Sequence, residues 1–190
     1  MTEQTLNNNI LFDALTLAAE KHQYLRRSGY DRLPYINHLL KVTHALIRIG
    51  EEDDPELLLA AILHDIIEDT DITEAELSRR FTPRTAAIVS ELTDDMELPY
   101  EVRKRRQVET APALSTPAKK IRIADKASNI RDLIDYPVEW PLEKKQYYVT
   151  NAVEVVNQIR GVNRQLEAWF DQTVEEARRA FQITNGQESR

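Results

Sequence analysis

Apolar residues recur along this chain at three- and four-residue intervals, as in Leu59, Ile62, Leu63, Ile66 and Ile67, and no stretch alternates at strand period over a useful length. The pattern predicts an all-α fold with helices over residues 7–26, 38–49, 55–69, 73–81, 83–94, 99–110, 117–134, 141–160 and 163–181. Several starts carry their own mechanism. Thr82-Pro83 and Thr116-Pro117 each place a capping hydroxyl before a proline at the first helical position, where the missing N–H costs nothing. Thr73 with Glu76 reads as a capping box, and Asn37 as the cap of a helix that opens at His38. Residues 27–37 and 135–141 are the longest irregular stretches, and neither has the length or composition of a linker. A single domain over 1–190 is expected.

Composition narrows the chemistry. With 190 residues and 42% hydrophobic content, one full-sized core is affordable. The absence of cysteine excludes disulfides, thiolate zinc sites and thiol nucleophiles, so any metal must sit on His and carboxylates. No basic and apolar leader opens the chain, and no run approaches the roughly 20 apolar residues that span a bilayer, so a cytoplasmic protein without a membrane partner is expected. The net charge of −7 disfavours nucleic acid as a partner. Local clusters at Arg26-Arg27, Arg103 to Arg106 and Lys119-Lys120 leave room for a small phosphorylated ligand, and a homo-oligomer is left open.

Against that background the string HDIIED stands out. On a continuous helix, His64, Asp65, Glu68 and Asp69 would fall at about 0°, 100°, 40° and 140°, one polar arc opposite an aliphatic one. That arc reads either as a solvated face or as a built one. Two further segments put polar groups where apolar ones belong. PYINH ends in His38 at a helix start, and RIADKASNIRDL sets Asp125 and Asn129 at i and i+4 beside a core stripe of Ile123, Ala127, Ile130 and Ile134. His38, His64, Asp65 and Asp125 make a plausible ligand set for a divalent ion. Four such ligands leave open positions on an octahedral ion, which favours Mn²⁺ over closed tetrahedral zinc. An ion would also offset the repulsion among the carboxylates.

These residues resemble the H…HD…D signature of the HD-domain metal-dependent phosphohydrolases. The strings PYINH, AAILHDIIEDTD, ELTDDMELP, RKRRQVE, RIADKASNIRDL and GVNRQLE are similar to the hydrolase domain of the RelA/SpoT proteins and to the small alarmone hydrolases, the metazoan SpoT homologues among them. The resemblance runs from about residue 12 to 168, and several ordered motifs at matching separations overturn the solvated-face reading. It implies an HD-domain helical bundle in which His38, His64, Asp65 and Asp125 hold one Mn²⁺. Glu68 and Asp69 match the pair credited with activating water. The implied reaction removes pyrophosphate from the 3′ position of (p)ppGpp, giving GDP or GTP.

The resemblance also implies nucleotide contacts from Arg27 and Asn129, and from Tyr147 and Tyr148 on the helix after Pro141. The chain departs from the family pattern in three places. Arg27-Ser28 stands for an Arg-Lys pair, Arg32-Leu33 for a Gly-Thr, and Tyr100 for a frequent lysine. These changes bear on the substrate more than on the reaction. Hydrolysis of (p)ppApp, removal of the 2′-phosphate of NADPH, and a non-catalytic nucleotide sensor therefore stand as alternatives. His22 and His44 read as packing or surface histidines, and Trp140 and Trp169 as packing anchors. Most of the 103–106 run reads as solvated, with Lys104 or Arg105 turned inward.

Overall fold

The computed structural model describes residues 3–29, 32–136 and 138–183, with the side chains of 3–8 left aside. Its helices are α1 (Glu3–Lys21), α2 (Ile36–Arg48), α3 (Pro55–Leu63), α4 (Ile66–Asp69), α5 (Glu74–Arg80), α6 (Pro83–Leu92), α7 (Tyr100–Thr110), a 3-10 turn (Ala111–Ala113), α8 (Thr116–Asp135), α9 (Leu142–Asn157) and α10 (Arg164–Ala180). The expected all-α class holds: among the described residues the only β feature is an isolated bridge between Arg26 and Pro34. No described helix is long and apolar enough to cross a membrane.

Two helices organise the bundle. α8 packs against α2, α3, α6, α9 and α10, while α3 packs against α1, α2, α6 and α8. Surrounded in this way, α8 buries Ile121, Ile123 and Ile130 together with the polar Asp125, Lys126, Ser128 and Asp132. α3 is aliphatic nearly all round and buries Leu57, Leu59, Ile62 and Leu63. α2 is amphipathic instead, with Leu39, Val42 and Leu46 inside and Leu40, His44 and Ile47 outside. Asn163 joins the last helix to the rest: Oδ1 caps α10 at Leu166 N, while Nδ2 donates to Gly50 O at 2.8 Å and Glu52 Oε1 at 2.7 Å. Gly50 is required there, because a Cβ would lie 2.8 Å from Leu46 O and 3.1 Å from the Leu166 side chain.

The start signals held at some helices and moved at others. Thr82 caps α6 by accepting from Thr85 N at 3.0 Å, and Thr73 accepts from Glu76 N at 3.2 Å. The Glu76 carboxylate pairs with Arg80. α8 is capped by Ser115, not Thr116, which sits inside the first turn. α2 opens at Ile36, ahead of the expected cap at Asn37, because Pro34 and Tyr35 start the turn and accept from Asn37 N and His38 N. α1 stops at Lys21 and does not run to 26. Beyond it Arg26 folds back and donates to Gln23 O and Leu25 O at 2.7 and 2.8 Å, satisfying carbonyls that a helix would have used.

The expected helix over 55–69 is interrupted. Asp65 has φ −98 and ψ −1, in the bridge region between helical and extended backbone, and α4 resumes at Ile66. The His64 ring accounts for the break: Nδ1 lies 2.8 Å from Ala61 O and competes for a carbonyl at the end of α3. The unbroken Leu/Ile pattern concealed this.

Candidate metal and phosphoryl site

The first turn of α2 supplies His38, the break between α3 and α4 supplies His64 and Asp65, and the middle of α8 supplies Asp125. His38, His64 and Asp65 offer ligand atoms within 4.8 Å of one another. His38 Nε2 is 3.7 Å from Asp65 Oδ2 and 3.2 Å from Asp125 Oδ1. His64 Nε2 is 3.2 Å from Asp65 Oδ2 and 3.8 Å from Asp125 Oδ1. Both imidazoles are buried, at 1% and 4% exposure, so their orientation is fixed by packing.

The donor set fits a divalent cation. Nδ1 of His64 faces a carbonyl oxygen and so carries a proton, which leaves the buried Nε2, aimed at the carboxylates, as the nitrogen whose lone pair would be free for a cation that displaces its proton. Each carboxylate is held in turn. Tyr35 Oη donates to Asp65 Oδ2 at 2.8 Å, and Asn129 Nδ2 donates to Asp125 Oδ1 at 2.5 Å. Burial works against charge on all four groups, but the pairing outweighs it at three of them. His64 is raised well above its ordinary value by Asp65 and Asp125, while Asp65 and Asp125 are held low by the imidazoles. His38 is lowered, first by burial and then by Arg27.

The two residues expected beyond the HD pair diverge. Glu68 lines the adjoining cleft of about 250 Å³, accepts from Asp94 N at 3.0 Å and has its pKa raised by burial. Asp69 is not among the lining residues. Its Oδ2 lies 3.7 Å from His22 Nε2, and its carboxyl is pushed up to about 7 by burial and by Asp65 and Glu68. His22, read from sequence as a packing histidine, is buried, stacks on Tyr35 with ring centroids 5.2 Å apart, and presents an unpartnered Nε2 toward that carboxylate. No sequence signal set it apart from an ordinary core histidine.

The remaining contacts sort cleanly. Arg27 lines the cleft, bonds Asn129 Oδ1 and lies 3.3 Å from Asp132, which also takes Lys41 Nζ at 2.6 Å. Tyr148 lines the cleft beside Trp140, their rings 6.1 Å apart, so Trp140 is more than a packing anchor. Tyr147 is not brought to the cleft: it is 39% exposed and its hydroxyl, pushed up to about 12, pairs with Glu101. Tyr100 is also outside, its ring 5.3 Å from Lys104 Nζ. Of the basic run, Lys104 turns inward and lines the cleft, while Arg105 and Arg106 are exposed. Lys126, Arg122, Asp94 and Gln107 line it as well, and sequence reading had assigned none of them.

Comparisons with known proteins give the family of the chain. The HD domain family matches residues 14–149. The guanosine-3′,5′-bis(diphosphate) 3′-pyrophosphohydrolase MESH1 of Danio rerio is 42% identical over 164 residues, covering 86% of this chain and 91% of that protein. The Homo sapiens protein of the same name is 42% identical over 158 residues, covering 83% and 88%. A solved structure, described as a metazoan ortholog of SpoT that hydrolyzes ppGpp and plays a role in starvation responses, superposes with a TM-score of 0.85 at 36% identity, over 88% of this chain and 94% of that one. The chain belongs to the HD-domain family and, within it, to the MESH1 group of small RelA/SpoT-type hydrolases.

Proposed function

We propose that this protein, acting as a single domain, hydrolyses the 3′-pyrophosphate of a purine alarmone, with (p)ppGpp the leading substrate, using one Mn²⁺ held by His38, His64, Asp65 and Asp125. The observation that carries the reading is the convergence of two imidazole nitrogens and two carboxylates from three chain segments beside a cleft that His38, Asp65 and Asp125 line together with Glu68 and several cations. The names of the MESH1 relatives supply the substrate class. When bound, the ion offsets phosphate charge and lowers the pKa of water.

In this reading water oxygen bonds to the phosphorus on ribose O3′ and the P–O3′ bond breaks. One water proton passes to the carboxylate pair and from there to O3′, which leaves as a hydroxyl, while the other stays with the new P–O oxygen, so free pyrophosphate and a 3′-hydroxyl nucleotide are formed. Of the pair, Glu68 is the one that lines the cleft, and burial raises its pKa, which makes it a better proton acceptor than an ordinary carboxylate. Arg27 and Asn129 bind and orient the nucleotide next to Asp125, and Tyr148 with Trp140 offers an aromatic wall for its base.

The decisive experiment is turnover of ppGpp, pppGpp, ppApp, pppApp and NADPH with Mn²⁺, products being resolved by anion exchange. Release of intact pyrophosphate from a guanosine or adenosine alarmone is expected, with a clear preference between bases. Phosphate release from NADPH with both alarmone classes untouched would leave only the HD phosphohydrolase class standing.

A further inference from the structure

α8 serves as a ruler along the cleft. Arg122, Lys126, Asn129 and Leu133 all line it at helical spacing, and from Arg122 to Leu133 the helix rises about 16 Å. The polarity changes along that length. Leu133, with Val138, Trp140 and Tyr148, supplies the apolar and aromatic part of the lining, next to the paired Arg27 and Asp132. Asp125 and Asn129 occupy the middle. Toward the helix start, Arg122 and Lys126 are joined by Lys104 from α7 to form a recess of three cations.

Carboxylates face the recess without closing on its cations. Asp94, Glu68 and Asp125 share the lining, but Asp94 takes Gln107 Nε2 at 2.7 Å and stands 3.9 Å from Lys104 Nζ, and Glu68 is taken by Asp94 N. Lys126, 4% exposed, bonds the neutral Gln107 Oε1 at 2.9 Å, and Arg122 bonds the neutral Leu92 O at 2.8 Å. Among the described residues none of the three cations has a carboxylate within hydrogen-bond distance. Cations this withdrawn from water are costly unless a counter-charge reaches them. Asp125 of the metal set feels the charge of Lys126 but makes no hydrogen bond to it, its Oδ1 being taken by Asn129 Nδ2.

We infer that Lys104, Lys126 and Arg122 form the subsite for the distal phosphoryl group of the 3′-diphosphate, and so hold the departing pyrophosphate. The inference rests on the alarmone reading and gives it a direction: purine and ribose lie at the Leu133 end, the scissile bond beside Asp125, and the distal phosphoryl in the recess. The 5′-phosphates then point away from these three cations.

Inorganic pyrophosphate and GDP separate the two ends. Calorimetric titration of each into wild type and Lys104→Met, at fixed free Mn²⁺, should show pyrophosphate affinity falling about tenfold or more while GDP affinity changes less than about twofold. Lys126→Met should repeat the pattern. Lys104→Gln, checked by circular dichroism, supplies a polar variant should either Met variant fail to fold. Loss of GDP affinity with pyrophosphate unaffected would move the cations to the 5′-diphosphate and overturn the inference, as would equal loss of both or of neither. If wild type cleaves no alarmone yet binds pyrophosphate through Lys104, the functional reading fails and the subsite stands.

Discussion

Two charged regions meet in the cleft and differ in how their charge is settled. The imidazole–carboxylate cluster of His38, His64, Asp65 and Asp125 is matched within the protein, each carboxylate facing both imidazoles and each held by a further donor. The recess of Lys104, Arg122 and Lys126 has carboxylates nearby but, among the described residues, none within hydrogen-bond distance of its cations, and burial pushes the Lys126 ammonium down to about 7. The cluster is assembled by folding alone, whereas the recess is completed by an anion. Preorganisation and ligand affinity are thus divided between neighbouring walls.

Breaking the cluster should have the largest effect. Asp125→Ala removes one proposed ligand and leaves both imidazoles short of a partner, so kcat/KM should fall by about 10³-fold or more together with Mn²⁺ affinity. Retained Mn²⁺ binding at wild-type strength in a direct metal titration would remove Asp125 from the ligand set. A smaller and cleaner effect is expected at the carboxylate pair. Glu68→Ala and Asp69→Ala should lower turnover by about 10²-fold or more, with Mn²⁺ titration nearly unchanged. Glu68 should be the more severe because it lines the cleft and Asp69 does not. Weakened metal binding in either variant would make it a ligand and not a base.

The smallest effect belongs to a charge cluster out in water, which serves as the control. Arg84, 47% exposed, bridges Asp54 and Glu56. It holds Asp54 below its ordinary 3.8, and with Thr82 it holds Glu56 below 4.5. Carboxylates lowered in the folded state stabilise it above their unfolded pKa and lose that contribution as pH falls through the folded one. Arg84→Ala should therefore cost under about 1 kcal/mol at neutral pH, and the gap in Tm should close in acid. A gap that persists at low pH would mean that Arg84 acts through packing.

How much of this was legible in the sequence follows from what each residue answers to. Thr82 and Thr73 answer to neighbours two or three residues away, so their caps were readable. The four metal-set residues were readable because the motifs around them resemble a known family. Asn37 and Thr116 obeyed the same local rule and lost to adjacent competitors, Pro34 with Tyr35 and Ser115. Arg122 and Lys126 were invisible for the opposite reason. A charged residue on a helix is ordinarily solvated, and only the packing of α8 on five other helices turns these inward. His22 is the packing histidine that its sequence context suggested, yet it also faces Asp69, and Tyr147 lies outside the lining of the cleft that its neighbour Tyr148 enters, because burial at a cleft is set by elements far apart in the chain.

The interruption at Asp65 has a consequence for how a bound ion would be kept. Neighbouring residues on an unbroken helix diverge by about 100°, too far to close on one point easily. The break turns His64 Nε2 and Asp65 Oδ2 to within 3.2 Å of each other and makes adjacent residues a chelating pair. When one arm of such a pair lets go, the other keeps the ion at high local concentration, and recapture competes with escape. The backbone irregularity would thereby act on residence time, and a helix drawn straight through this segment would forfeit that grip while keeping every proposed ligand in the sequence.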